Sequence, residues 1–252
     1  MSDDRICTEM TLPDELLEKA AADAIAENPE NRPALMMSPP ESRVGVVLRP
    51  DRMAVVTGKR WARGRRLKVS FLGGDRAVID KVKSVAREWE QHAEIFFEWV
   101  ETGGDIRVAF LAGKGSWSHI GADAMQVARS DPTMNLGWLT PSSPHDEYSR
   151  VVLHEFGHAL GCIHEHQHPS AGIPWDKPKV YAYYAETNGW APDKVDRNIF
   201  KRYEASTTNF SAYDPNSIMH YAVPNSLTLG DFEVGWNRRL SRTDKEFIAA
   251  VY

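Results

Sequence analysis

Residues 154 to 164, HEFGHALGCIH, constrain this chain more than any other stretch, because they commit it to a helix that stops abruptly and turns back. Positions four apart on a helix share one face, so His154 and His158 project side by side with about 5–6 Å between their Cβ atoms. Two neutral imidazoles at that separation can grip one zinc ion. Glu155, rotated by about 100° from His154, reaches water at the metal without being a ligand. A catalytic zinc takes three protein ligands and keeps one position open. Gly161 supplies the means: glycine adopts the left-handed conformation that ends a helix, and the returning chain brings His164 toward the same ion. His166 and His168 lie past that turn and are expected beside the metal or at the surface. The spacing HExxHxxGxxH fixes five positions. Average residue usage produces such a match by accident in about one chain of this length in 10⁵.

A second stretch agrees with the first. YDPNSIMHYAVP, residues 213–224, carries Met219 and then Tyr221. A Met turn beneath the metal, closely followed by a tyrosine, accompanies this zinc motif.

Around these motifs the periodicities outline an α/β frame. PDELLEKAAADAIAEN (Pro13 to Asn28) predicts a short helix, and the Pro-rich PENRPALMMSPPES after it marks a break. Residues 1–57 therefore read as a separable N-terminal segment. RLKVSFLGG (Arg65 to Gly74) predicts a strand, and Asp75 caps a helix with Val78, Val82, Val85 and Trp89 on one face. IFFEWV (Ile95 to Val100), DIRVAFLA (Asp105 to Ala112) and MNLGWL (Met134 to Leu139) predict further strands before the motif helix, expected over about Asp146 to Leu160. Beyond His168 the chain turns rich in Pro, Trp and Tyr, with helices expected in VDRNIFKRYEA and RTDKEFIAAVY.

Composition enters mainly as exclusion. A net charge of −5 with no long basic stretch argues against nucleic acid, and KRWARGRRLK (Lys59 to Lys68) reads as a solvated loop and strand entry. No apolar run approaches the roughly 18 residues that a membrane span needs. The acidic start MSDDRICTEM lacks the pattern of a Sec signal peptide, which leaves an intracellular site, another export route or a sequence given without its leader open. Cys7 and Cys162 allow one disulfide at most. A monomer is expected.

HEFGHALGCIHE together with SIMHY resembles the astacin family of metzincin endopeptidases. RWARGRRLKVSF (Arg60 to Phe71) is similar to that family's opening strand, AGKGSWSHIG (Ala112 to Gly121) to one of its turns, and LSRTDKEFIAAVY (Leu240 to Tyr252) to its C-terminal helix. The resemblance implies an α+β, two-lobed zincin over residues 58–252. The upper lobe, about 58–161, would hold a mixed twisted sheet and the active-site helix. The lower lobe, about 162–252, would be mostly irregular with a C-terminal helix. It also implies one zinc on His154, His158 and His164, Glu155 as general base, Met219 as the floor, and Tyr221 as a resting-state fifth ligand that swings away during turnover. Glu165 would meet a mature N-terminus, which makes residues 1–57 a candidate pro-segment, and secretion would be usual. Ser116 stands where that family has a half-cystine, and Cys162 where an aromatic is usual. Cys7 is then a candidate thiolate switch or a structural cysteine, free or paired with Cys162.

The reaction expected is hydrolysis of peptide bonds, with the protein substrate added as a strand along Met134 to Leu139. Two other readings remain: a zinc-stabilised peptide-binding module, which has no need of Glu155, and a latent protease held off by residues 1–57.

Overall fold

The computed structural model describes residues 7–32, 58–203 and 212–252. Six strands form one sheet: β1 (Cys7–Met10), β2 (Arg66–Phe71), β3 (Phe96–Trp99), β4 (Ile106–Ala109), β5 (Ser116–His119) and β6 (Met134–Leu136). Their order is β1-β5-β6-β4-β2-β3, and every neighbouring pair is parallel except β5–β6. The helices are α1 (Leu17–Glu27), α2 (Arg76–Ala86), α3 (His145–Ala159), α4 (Lys177–Asn188), α5 (Pro192–Val195) and α6 (Arg242–Val251).

The helix α2 forms as its periodicity requires. Asp75 caps it by accepting from the backbone N–H of Ala77 and Val78, and Val78, Val82 and Val85 are buried along one stripe. That stripe shares a core with Leu67 and Val69 of β2, Ile106 and Val108 of β4, Met134 and Leu136 of β6, and Val151, Val152 and Phe156 of α3. Each such side chain contributes about 1.5–3 kcal/mol on burial. The result is a rigid shelf under α3.

Three features differ from expectation. AGKGSWSHIG holds a strand, β5, because its turn at Gly113–Gly115 (φ 73° and 69°) folds Ser116–His119 back against Leu136–Met134. Met134–Leu139 is therefore not an edge: β6 lies between β5 and β4, and its ladder is used on both sides. Beyond β6 on one side lies β5, and β1 of this chain pairs along it as the edge of the sheet. Residues 162–252, the expected lower lobe, are also less irregular than expected. Asp176 caps α4, Pro178 sits in its first turn and Gly189 (φ 65°) ends it. Val180 and Tyr184 of α4 pack with Trp190, Val195, Ile199, Tyr221 and Leu227. The expected helix at 195–205 is a π turn, Asp196–Phe200, whose continuation past Tyr203 lies outside the described residues.

The described N-terminal residues are packed on the rest. Ala20, Ala21 and Ala24 bury the small-residue face of α1, which lies against the turn Gly121–Gln126. Asn31 donates to the carbonyls of Ala24 and Arg60 and accepts from Arg60 N–H. Cys7 and Cys162 are both unpaired and buried, in different clusters, so the disulfide between them does not form.

Candidate metal centre

The site hangs from α3. Asp146 and Glu147 lie in its first turn, where the helix dipole favours negative charge. From Tyr148 to Ala159 every residue is buried. Trp89 donates its indole N–H to the Leu153 carbonyl and Trp61 to that of Ala159, fixing the helix from below. Gly161 (φ 95°) ends it, and the Cys162 N–H returns to the Gly157 carbonyl at 2.9 Å. The reversal carries the chain into a turn at Glu165–Gln167.

His154, His158 and His164 each offer a ring nitrogen within 4.8 Å of the others. The Nδ1–H of His154 donates to the Ile218 carbonyl at 2.8 Å, and that of His158 to the Cys162 carbonyl at 2.9 Å. Those bonds fix the tautomers and leave Nε2 without its proton on both rings. The His154 Nε2 is buried with no hydrogen-bond partner, and the His158 and His164 Nε2 atoms face each other at 3.0 Å. Burial pushes all three rings toward the neutral form, well below the usual range for His154 and His164 and to about 4 for His158. Neutral, converging imidazole nitrogens are the donor set that zinc takes, so these residues fit the ion.

Glu155 is fully buried beside them. Neither of its carboxylate oxygens has a hydrogen-bond partner among the described residues, and the Cys7 thiol lies within 4.8 Å of the carboxylate. Burial raises its pKa to about 8, against the lowering effects of that thiol and of Arg150. Met219 lies directly under α3: a Cβ on Gly157 would come within 2.5 Å of its Sδ. The Met-containing turn is held by a group that sequence reasoning passed over. Asp244, buried at the start of α6, accepts from Ser217 Oγ at 2.7 Å and Ile218 N–H at 2.8 Å, and also closes a capping box with Ser241. The Ser-x-x-Asp spacing at 241–244 was its available signal.

Tyr221 is turned to the N-terminal strand, its hydroxyl donated to the Cys7 carbonyl. The Cys7 thiol, a His154 nitrogen and the Glu155 carboxylate lie within 4.8 Å of one another. Glu165 accepts the Asp214 N–H at 2.8 Å, and burial raises its pKa to about 7. Of the remaining histidines in the run, His166 bonds to the Asn198 carbonyl and His168 accepts the Ser170 N–H, so neither joins the metal group.

A mixed sheet over a helix that presents three imidazoles and a carboxylate is the framework of a zinc centre of the HExxH type. Residues 57–229 match the model of the peptidase family Astacin, and the chain belongs to that family. Protein SpAN of Strongylocentrotus purpuratus is 26% identical over 147 residues, covering 56% of this chain and 21% of its own length. Zinc metalloproteinase nas-30 of Caenorhabditis elegans is 28% identical over 173 residues, covering 66% and 20%. This chain thus spans about a fifth of the length of the curated relatives it matches. Among solved structures, myroilysin is 49% identical with a TM-score of 0.76, over 77% of this chain and 95% of that one. High choriolytic enzyme 1, a hatching enzyme zinc-protease of Oryzias latipes, is 18% identical with a TM-score of 0.50, covering 76% of this chain and 91% of that one, and it supports the fold. The architecture is accordingly the α+β metzincin fold.

Proposed function

We propose that this chain is a zinc-dependent endopeptidase, with zinc on His154, His158 and His164. The observation that carries this is the convergence of three neutral imidazoles beside a buried carboxylate with almost no partner. A bound zinc ion would supply a Lewis acid that polarises a carbonyl and acidifies water. Glu155 takes the proton of the attacking water and passes it to the leaving amine; its raised pKa suits a group that must both accept and release. Tyr221 donates to the oxygen of the attacked carbonyl, the role its hydroxyl already plays toward Cys7. The substrate takes the place of β1 along Ser116–His119, held by main-chain hydrogen bonds that do not depend on its side chains. Family membership favours action outside the cell. The test is cleavage of casein, followed by mass spectrometry with and without a zinc chelator. Fragments that chelation abolishes and zinc restores support the reading; fragments indifferent to chelation refute it.

A second reading is favoured by β1. That strand pairs with the edge a substrate needs, its Cys7 thiol lies at the metal group, and its carbonyl engages Tyr221. As it stands the chain is a latent enzyme, with Cys7 as the blocking group. Cleavage that appears only after residues 1–57 are trimmed supports latency; equal activity before and after trimming removes it.

A further inference from the structure

His166 takes no part in the metal group, yet it lies flat against Tyr221. The two ring centroids are 4.4 Å apart with 23° between planes. Tyr221 also meets His164 at 4.4 Å and 55°, a ring that itself touches His166 at 5.3 Å, and His154 at 6.1 Å and 26°. A tyrosine hydroxyl sits at the end of a ring with two side-chain torsions, so whatever fixes the ring plane fixes where the hydroxyl points. His154 and His164 are committed to the metal. Among these ring contacts of Tyr221, His166 is the one outside the metal group, and its orientation is set elsewhere.

The ring of His166 is 2% exposed, and its Nε2–H donates to the Asn198 carbonyl at 2.8 Å. Next to it, Gln167 donates its side-chain amide to the Arg197 carbonyl and accepts the Tyr203 N–H at its own carbonyl. The turn Glu165–Gln167 is thus pinned at its far end to the strap 197–203, while its first residue donates its N–H to the Met219 carbonyl. The Nδ1 of His166 is buried without a hydrogen-bond partner, which is destabilising in itself. An imidazole kept here at that cost is used for its flat face and its single donor. His220 complements it: its Nδ1–H donates to the Tyr221 carbonyl and its Nε2 accepts from Tyr213, fixing the backbone as His166 fixes the ring.

We propose that His166 is a positioning residue, a flat anchor that orients the Tyr221 ring so that its hydroxyl meets a carbonyl oxygen at the metal. The proposal rests on the endopeptidase reading above for its consequence in turnover, but the ring coupling itself does not.

Two variants separate ring from hydrogen bond. His166→Phe keeps a flat ring and loses the donor; His166→Asn keeps a donor and loses the ring. In full-length, metal-free protein, a double-mutant cycle of His166→Asn with Tyr221→Ala is measured by urea unfolding. We expect a coupling of about two- to tenfold in the unfolding constant, the range of aromatic pairs, while His166→Phe retains the coupling. Additive effects overturn the proposal. In the zinc-loaded protein cleaving a quenched fluorescent peptide, trimmed if trimming is required, His166→Asn should lower kcat about three- to tenfold with KM little changed, and His166→Phe should restore most of it. Loss in His166→Phe with retention in His166→Asn overturns the proposal, because the hydrogen bond alone would then matter. If Tyr221→Phe lowers kcat and His166→Asn does not, this inference fails and the endopeptidase reading survives. If no form of the wild type cleaves while the coupling is present, the endopeptidase reading fails and the stack stands.

Discussion

The arm from Cys7 to Arg32 and the body from Gly58 onward are held by different chemistry. The body is closed by Val, Leu, Ile, Phe and Trp packed between the sheet and α3. The arm lies on it through alanines, backbone pairing and polar contacts: Asn28 to the Trp61 carbonyl, Asn31 to Arg60, and Glu27 to Arg65. Of its side chains, Ala24 joins the main core and Cys7 the lower one. Polar contacts are replaced by water on release and are worth about 0.5–1.5 kcal/mol each, whereas a lost aliphatic contact is not replaced. The proposed latency requires a body that keeps its fold without the arm and an arm that can leave, and this division of contacts favours both.

The largest effect should fall on the body's chemistry and leave its fold alone. Glu155→Gln is expected to lower kcat by about 10²–10⁴ while zinc content and melting temperature are retained, since it removes a buried acid and not a packing group. Loss of zinc along with activity would move Glu155 into the ligand set. Tyr221→Phe comes next: removing one donor to the reacting carbonyl should lower kcat by about 10² with KM little changed. It should also loosen the arm, because the same hydroxyl holds the Cys7 carbonyl. An unchanged kcat with a loosened arm would confine Tyr221 to latency.

A third expectation concerns β5, the strand that arm and body share. Burial lowers the pKa of His119 to about 4, and Lys59 and Arg107 contribute to the lowering. The unfolded chain takes up this proton near pH 6.5, before the folded one does. The contribution of neutral His119 is therefore complete above about pH 6.5 and lost as pH falls toward 4, on the order of 2–3 kcal/mol. Urea midpoints measured from pH 7 to 4 should fall less steeply in His119→Phe than in the wild type; parallel curves would remove His119 from the account. The smallest effect is the arm's own. Asn31→Ala removes three hydrogen bonds, and hydrogen exchange in residues 17–27 should quicken about tenfold while the body's transition stays in place. Equal destabilisation of both would erase the distinction between them.

The two regions also differ in how far they could be read from sequence. The metal helix, its glycine stop and the third histidine are local patterns within eleven residues, and α2 announces itself through Asp75 and its valine stripe. Family resemblance added the α+β metzincin fold. What escaped depends on pairing across long separations. Which strand forms the edge depends on β5 folding back on Leu136, and Ser-Trp-Ser-His between glycines carries little of the usual strand pattern. The contact of Tyr221 with Cys7 joins residues 214 positions apart and leaves no trace in either neighbourhood. The capping residue Asp244 was visible as part of a helix start, but not as the group that holds the turn under the metal.

The most direct test counts zinc by inductively coupled plasma mass spectrometry in purified protein resupplied with the ion and dialysed. The account predicts one zinc per chain in the wild type and in His166→Phe and His168→Ala, and its loss in His154→Ala, His158→Ala and His164→Ala alike. A wild type without stoichiometric zinc, or full retention after any of those three alanine changes, would contradict it.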